Sequence, residues 1–284
     1  MLTVLESIKL STDFLMNKGI ESPRINAELL LAKILNCKRL DLYLSFDRPL
    51  KEDEIALYRE FIRRRSKFEP LQYITGSVEF YGLEFKINPS VLIPRPETEI
   101  LVETILNSVD KESEINILDI GTGSGIIAIS LAKFLPNANI VAIDSSPNAL
   151  ETAVENARAN EVEKRINFIL MDVTGESKIN NFLFDLIISN PPYISSEEYK
   201  NLQPELRLFE PKGALTDDAD GLRFYRIISV KAKSMLKNGG KIFFEMGQGQ
   251  SQAVNNILLK EEFENIHIIK DYLNIDRVIS GEKI

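Results

Sequence analysis

The stretch Ile117-Leu118-Asp119-Ile120-Gly121-Thr122-Gly123-Ser124-Gly125 decides the fold. An apolar strand runs into a glycine-rich turn, and residues 125–134 continue as an apolar helix. Glycines let the backbone approach a ligand closely, and the helix N-terminus offers N–H groups and positive potential. Taken alone, such a turn suits NAD, FAD or S-adenosylmethionine. Two details narrow the choice. The spacing is Gly-x-Gly-x-Gly, not the Gly-x-Gly-x-x-Gly of dinucleotide sites. Asp119, just ahead of the turn, suits the ammonium of a bound amino acid better than a pyrophosphate.

Outward from this turn, helices and strands alternate from about residue 96. A helix at 96–108, strand 115–119, helix 125–134, strand 139–143, helix 147–159 and strand 166–171 are predicted. Strand 184–189, helix 219–236, strand 240–246, helix 250–260 and strands 264–270 and 275–280 follow. This pattern predicts an α/β domain with a parallel sheet covered on both faces and an antiparallel pair at one edge. Strand 139–143 ends in Asp144, where a carboxylate can accept from both ribose hydroxyls of an adenosine; the competing reading is a helix cap before Pro147. Met171-Asp172-Val173 follows the next strand, where an adenine edge would lie, with Asp172 either an acceptor for its amine or a turn residue.

The N-terminal part reads differently. Val4, Leu5, Ile8, Phe14 and Leu15 recur at helical spacing, Ser22-Pro23 is a predicted cap for a helix over 24–36, and a third helix covers about 52–68. Residues 77–81 and 83–87 flank Gly82 as a hairpin. The expected organisation is a helical domain over 1–75, a β-hairpin linker over 76–95 and an α/β domain over 96–284. One cysteine, Cys37, in an apolar helical stretch, excludes a disulfide framework, and one histidine, His267, leaves neither a Cys/His zinc site nor a Ser-His-Asp triad. No run approaches the roughly 18 apolar residues of a membrane span, and the N-terminus lacks the marks of a signal peptide. A cytoplasmic, monomeric protein is expected. Residues 1–75 carry 13 Lys and Arg against 11 Asp and Glu, whereas residues 76–284 carry 21 against 31. That acidic balance argues against direct nucleic-acid binding, which needs a basic stripe.

The second decisive stretch is Asn190-Pro191-Pro192-Tyr193, directly after the apolar strand. Proline fixes its own φ and holds the preceding residue extended, so the loop is stiff and short of N–H donors. It presents the Asn190 side-chain oxygen, bare carbonyls and the aromatic face of Tyr193. A planar NH2 group, with two donors and a flat π face, suits that arrangement.

With these residues in view, the chain resembles the HemK/PrmC family, the protein-(glutamine) methyltransferases of peptide chain release factors. The resemblance covers nearly the whole chain. It runs from Pro70-Leu71-Gln72-Tyr73-Ile74-Thr75-Gly76 and Phe80-Tyr81-Gly82 through Val91-Leu92-Ile93-Pro94-Arg95-Pro96-Glu97-Thr98-Glu99 and the glycine turn. It continues with Asn190-Pro191-Pro192-Tyr193, Phe209-Glu210-Pro211, Asp220-Gly221-Leu222 and Tyr225-Arg226. The family implies a Rossmann-like S-adenosylmethionine-dependent methyltransferase domain preceded by a small α-helical bundle and a β-hairpin. It also implies methyl transfer to the glutamine amide nitrogen of a Gly-Gly-Gln (GGQ) loop, with release factors as partners. Its pattern sets Arg95 and Glu97 at the border of the active site. Where the family commonly has glycine before its last Asp-Arg pair, this chain has Asn274, a residue that tolerates left-handed geometry. Where an aromatic often follows the carboxylate matched by Asp172, this chain has Val173.

The expected chemistry needs no histidine base. Asn190 Oδ1 and the Pro191 carbonyl accept the two amide N–H groups, and Tyr193 packs on the amide plane. Rival readings are methylation of an exocyclic amine of nucleic acid or of a glutamine in another protein, and a cofactor-sensing adaptor without activity. An NAD-dependent dehydrogenase fails on the glycine spacing.

Overall fold

The computed structural model describes residues 2–175 and 183–284. They form two compact units, one holding the chain up to Ser77 with Gln203–Phe209, the other Val78–Leu202 and Glu210–Ile284. The helical unit contains α1 (Val4–Asn17), α2 (Pro23–Leu35), a 3-10 turn (Arg39–Leu44), α3 (Glu52–Arg65) and α4 (Leu71–Thr75). Val4, Ile8 and Leu15 of α1, Leu30 and Leu31 of α2, and Tyr58 and Ile62 of α3 make its core. Phe14, one of the residues at helical spacing, is 43% exposed because the buried stripe of α1 runs 4-8-15, one position away. Ser22 does not cap α2. Its φ of 48° is left-handed and its side chain makes no capping bond; Asn26 Nδ2 donates instead to the Glu21 and Ser22 carbonyls. Cys37 lies just beyond α2, after the left-handed Asn36, and packs against the helical core. The buried Arg65 donates to Asn26 Oδ1 at 2.7 Å, to the Glu69 carbonyl and to Glu205, tying α9 (Pro204–Phe209) into this unit.

In the larger unit, β1 (Ser77–Phe80) and β2 (Leu83–Lys86) pair across Tyr81-Gly82, whose φ values of 50° and 73° are those of a type I′ turn. This hairpin is built into the unit rather than set apart as a linker. Asn156 of α7 (Pro147–Ala159) accepts from Lys86 N, and its Nδ2 donates to the Lys86 and Ser124 carbonyls. The remaining strands are β3 (Asn116–Ile120), β4 (Asn139–Asp144), β5 (Ile166–Leu170), β6 (Phe184–Ser189), β7 (Leu236–Glu245), β8 (Phe263–Lys270) and β9 (Asp276–Lys283). They form one sheet in the order β5-β4-β3-β6-β7-β9-β8, parallel from β5 to β7, with β9 antiparallel to both neighbours. His267 is exposed on the edge strand β8.

Helices α5 (Thr98–Ser108), α6 (Ile126–Phe134), α11 (Arg223–Met235) and α12 (Ser251–Lys260) complete the layers. The short α8 (Ser196–Lys200) and α10 (Lys212–Leu215) were not legible as periodic runs. Helix α11 begins at Arg223, four residues later than the pattern predicts. Asp217 explains the delay, because its carboxylate takes the N–H groups of Ala219, Gly221 and Arg223 and holds 217–222 as a loop. Asn274 has φ 65°, the left-handed geometry expected of it.

Gly125, at φ 83°, sits where an added Cβ would lie 2.8 Å from Ile129 Cδ1 and 3.1 Å from Ala153 Cβ. The close approach of α6 to α7 therefore requires glycine. Gly125→Ala is expected to destabilise the protein by about 1–3 kcal/mol, measured by denaturant unfolding; an unchanged midpoint would contradict the contact.

Candidate active site

Parallel pairing brings the ends of β3 and β6 level, with Ile120 opposite Ser189. The Ser189 hydroxyl donates to the Ile120 carbonyl at 2.7 Å, so the glycine turn and the Asn190 loop leave the sheet side by side. Between them opens a cleft of about 440 Å³, at the carboxyl ends of the parallel strands. Gly121, Gly123, Asp144, Asp172, Val173, Asn190, Pro191 and Pro192 line it.

Gly121 and Thr122 both donate their N–H to the Ile143 carbonyl, folding the turn over the end of β4. Gly121 and Gly123 have φ values of 76° and 57°, and a Cβ on either would meet nothing within 4 Å. Their bare faces open on the cleft. Asp144 Oδ2 accepts from Gly123 N at 2.8 Å and Oδ1 from Ser146 N at 2.9 Å. The cap of α7 belongs to Ser146, whose Oγ takes the Ala149 N–H, so Asp144 is free of that role. Asp172 is a turn residue at the edge of the cleft. Its Oδ1 shapes a turn by accepting from Thr174 N and Oγ1, and the residue lines the cleft.

Asp119, Thr122 and Ser124 lie behind the turn, all buried. Asp119 does not reach the cleft wall. Thr122 Oγ1 donates to its Oδ2 at 2.7 Å, while Oδ1 has no hydrogen-bond partner among the described residues. Burial pushes its carboxyl up to about 7, against the Thr122 hydrogen bond and helped by the nearby Asp144. Glu245, at the end of β7, is equally buried; burial pushes it up to about 7 as well, opposed by the Thr98 hydroxyl and Arg277.

Pro191 is buried, and Asn190 Nδ2 donates to Thr98 Oγ1 at 3.3 Å. Tyr193 corrects an expectation. Its ring does not line the cleft but packs on Gly247, where a Cβ would lie 2.9 Å from Tyr193 Cδ2. Gln250 Nε2 donates to the Tyr193 carbonyl, and a Cβ on Gly221 would come within 2.5 Å of that oxygen. The loop is clamped from behind. Arg95 and Glu97 also stand off the cleft wall. Arg95 pairs with the buried Glu210 at 2.6 Å, and Glu210 accepts the Ile93 N–H too. The Arg95 and Glu210 motifs, distant in sequence, meet only through this pair, and of Asp217, Thr98 and Glu245 only the first carries a local signal, the acid-rich Asp217-Asp218-Ala219-Asp220-Gly221.

Open glycines at a helix start, a carboxylate at the end of the next strand and a cleft of ligand size fit S-adenosylmethionine. Fold and site together define a Rossmann-like S-adenosylmethionine-dependent methyltransferase. Residues 6–76 match the PrmC N-terminal domain family and residues 96–210 the methyltransferase small domain family. The chain is 42% identical to the release factor glutamine methyltransferase of Fusobacterium nucleatum subsp. nucleatum, over 96% of this chain and 77% of that protein. It is 40% identical to the protein of the same name from Geobacter sulfurreducens, over 98% and 96% respectively. The fold is shared with a 16S rRNA methyltransferase of T. thermophilus solved in complex with AdoMet and guanosine (TM-score 0.53, 20% identity, 73% of this chain and 50% of that one). The chain belongs to the release factor glutamine methyltransferase family.

The two buried carboxyls make stability depend on pH. Their folded values of about 7 exceed the ordinary 3.8 and 4.5, so their stabilising contribution is full at low pH and lost as pH rises through about 7. Asp119→Asn removes one such group. Its melting temperature relative to wild type, without ligand, is expected to rise between about pH 5 and 8; a constant difference would count against a buried titrating Asp119.

Proposed function

We propose that this protein uses S-adenosylmethionine to methylate the side-chain amide nitrogen of the glutamine in the GGQ loop of peptide chain release factors. The observation that carries this reading is the shared cleft. Asn190 and Pro191 line the same wall system as Gly121, Gly123 and Asp144, and Asn190 spends its Nδ2 on Thr98. Its carbonyl oxygen is thereby left for the cleft. Together with the Pro191 carbonyl it accepts the two N–H groups of a carboxamide. Family membership supplies the acceptor class, since the relatives' names specify release factor glutamine.

Bound S-adenosylmethionine supplies a methyl group made electrophilic by a sulfonium. Gly121, Gly123, Asp144, Asp172 and Val173 are the residues that would hold it, Asp144 taking the ribose hydroxyls, with Asp119, Thr122, Ser124 and Gly125 shaping the turn beneath. An amide nitrogen is a poor nucleophile because its lone pair is delocalised into the carbonyl. The Asn190 and Pro191 oxygens fix both N–H directions, which orients the remaining lone-pair density and stabilises the positive charge that develops on nitrogen. The amide proton then passes to solvent. Pro192 stiffens the loop, and Tyr193, wedged on Gly247, braces it from behind. Arg95, held by Glu210, and Glu97 set the segment that leads into Thr98.

Among the described residues no helix is long and apolar enough to cross a membrane. A cytoplasmic monomer that does not bind nucleic acid directly is consistent with the acidic charge of residues 76–284.

Asn190→Ala is expected to lower the methylation rate roughly 10²–10³-fold, as for loss of one preorganised polar contact; full activity would remove the clamp. Asp144→Ala should weaken cofactor binding by about 1.5–3 kcal/mol in calorimetry, and unchanged affinity would free Asp144 of that role. Incubation with labelled S-adenosylmethionine tests the acceptor directly. Label should enter a purified release factor but not its variant with the GGQ glutamine changed to alanine, and equal labelling of both would reject the assignment.

A further inference from the structure

Pro191 and Pro192 have no N–H, so half of the loop Asn190-Pro191-Pro192-Tyr193 cannot donate to the scaffold. Anchoring it falls on acceptors, and the Tyr193 carbonyl is met by Gln250, which precedes α12. Gln250 Nε2 donates to that carbonyl at 2.9 Å and to the Gly221 carbonyl at 3.3 Å. Its Oε1 accepts the Gly247 N–H at 3.0 Å, and the Tyr225 hydroxyl of α11 lies 3.3 Å away. One carboxamide thus joins the loop after β6, the loop before α11 and the turn after β7. Its orientation is forced. The two carbonyls can only accept and the N–H can only donate, so a reversed Gln250 would lose three bonds. The surroundings are tight as well. A Cβ at Gly247 would lie 2.9 Å from Gln250 Oε1 and from Tyr193 Cδ2, and one at Gly221 would lie 3.0 Å from Gln250 Nε2.

We propose that Gln250 is a positioning residue for methyl transfer, a brace that fixes the Tyr193 carbonyl and thereby the angle at which Asn190 Oδ1 and the Pro191 carbonyl meet the acceptor amide. The brace rests on Asn190 and Pro191 being the acceptor clamp. Gln250 does not line the cleft, whereas Asp217 and Asp218, on the second loop it grips, do. It therefore acts through the loops and not on the substrate. Two prolines of restricted φ link Tyr193 to Asn190, so a shift at one end is carried to the other instead of being absorbed between them.

Gln250→Glu keeps the side chain's shape and the acceptor for the Gly247 N–H but withdraws both donors. It is expected to lower kcat roughly 10- to 100-fold, the scale of a small misplacement of reacting groups, with KM for the release factor and calorimetric AdoMet affinity near wild type. Gln250→Leu brings no charge and should lower kcat over the same range, which separates loss of the brace from repulsion by a carboxylate. In an Asn190→Ala background either change costs several-fold less, because one of the two oxygens it positions is gone. Wild-type kcat in a folded Gln250→Leu, a loss carried by KM with kcat intact, or an equal loss in the Asn190→Ala background overturns the brace. If the leucine variant does not fold, Gln250→Glu decides on the same three readings. An impaired Asn190→Ala beside normal Gln250 variants sinks the brace only, whereas a fully active Asn190→Ala sinks the clamp itself.

Discussion

The side-by-side exit of β3 and β6, locked by the Ser189 hydroxyl on the Ile120 carbonyl, is the constraint on which the site depends. Parallel strands release their chains at the same end of the sheet, so two neighbouring loops must share one cleft. One loop is bare backbone, the other proline-stiffened. In the proposed reaction the first admits a ligand's close approach and the second offers fixed acceptors, and the paired strands set them next to one another.

The buried carboxyls of the two units are matched differently. In the helical unit the fully buried Glu28 is matched by Arg24, Arg39 and Tyr43, three charge-assisted or hydroxyl donors around one carboxylate. Asp119 and Glu245 are as deeply buried, yet each keeps one oxygen unmatched. Burial of a carboxylate without full pairing costs folding free energy; Asp119 lies under the glycine turn and Glu245 ends β7, beside the strand that leads into the Asn190 loop.

The legible parts were those with a local signature. Strands β3, β4 and β6 read as apolar runs because both sheet faces are covered, and the Gly-x-Gly-x-Gly turn stands at the end of the first of them. The misread parts depended on contacts far along the chain. Ser22 looked like a cap until its φ turned left-handed. Residues 219–222 scanned as helix until Asp217 captured their N–H groups. Arg95 finds Glu210 across 115 positions, and the Tyr193 ring turns toward Gly247 because Gln250 holds its carbonyl.

Sequence alone determined the alternation of strands and helices, the backbone character of the two loops and the family, because period, proline φ restriction and glycine freedom are properties of neighbouring residues. Tertiary structure decided which atoms face the cleft. Whether Asp119 touches a ligand or lies beneath the turn, and which end of the Asn190 amide points outward, follows from hydrogen-bond partners brought in by other strands and helices. Residues distant in the chain leave no periodic trace of that meeting.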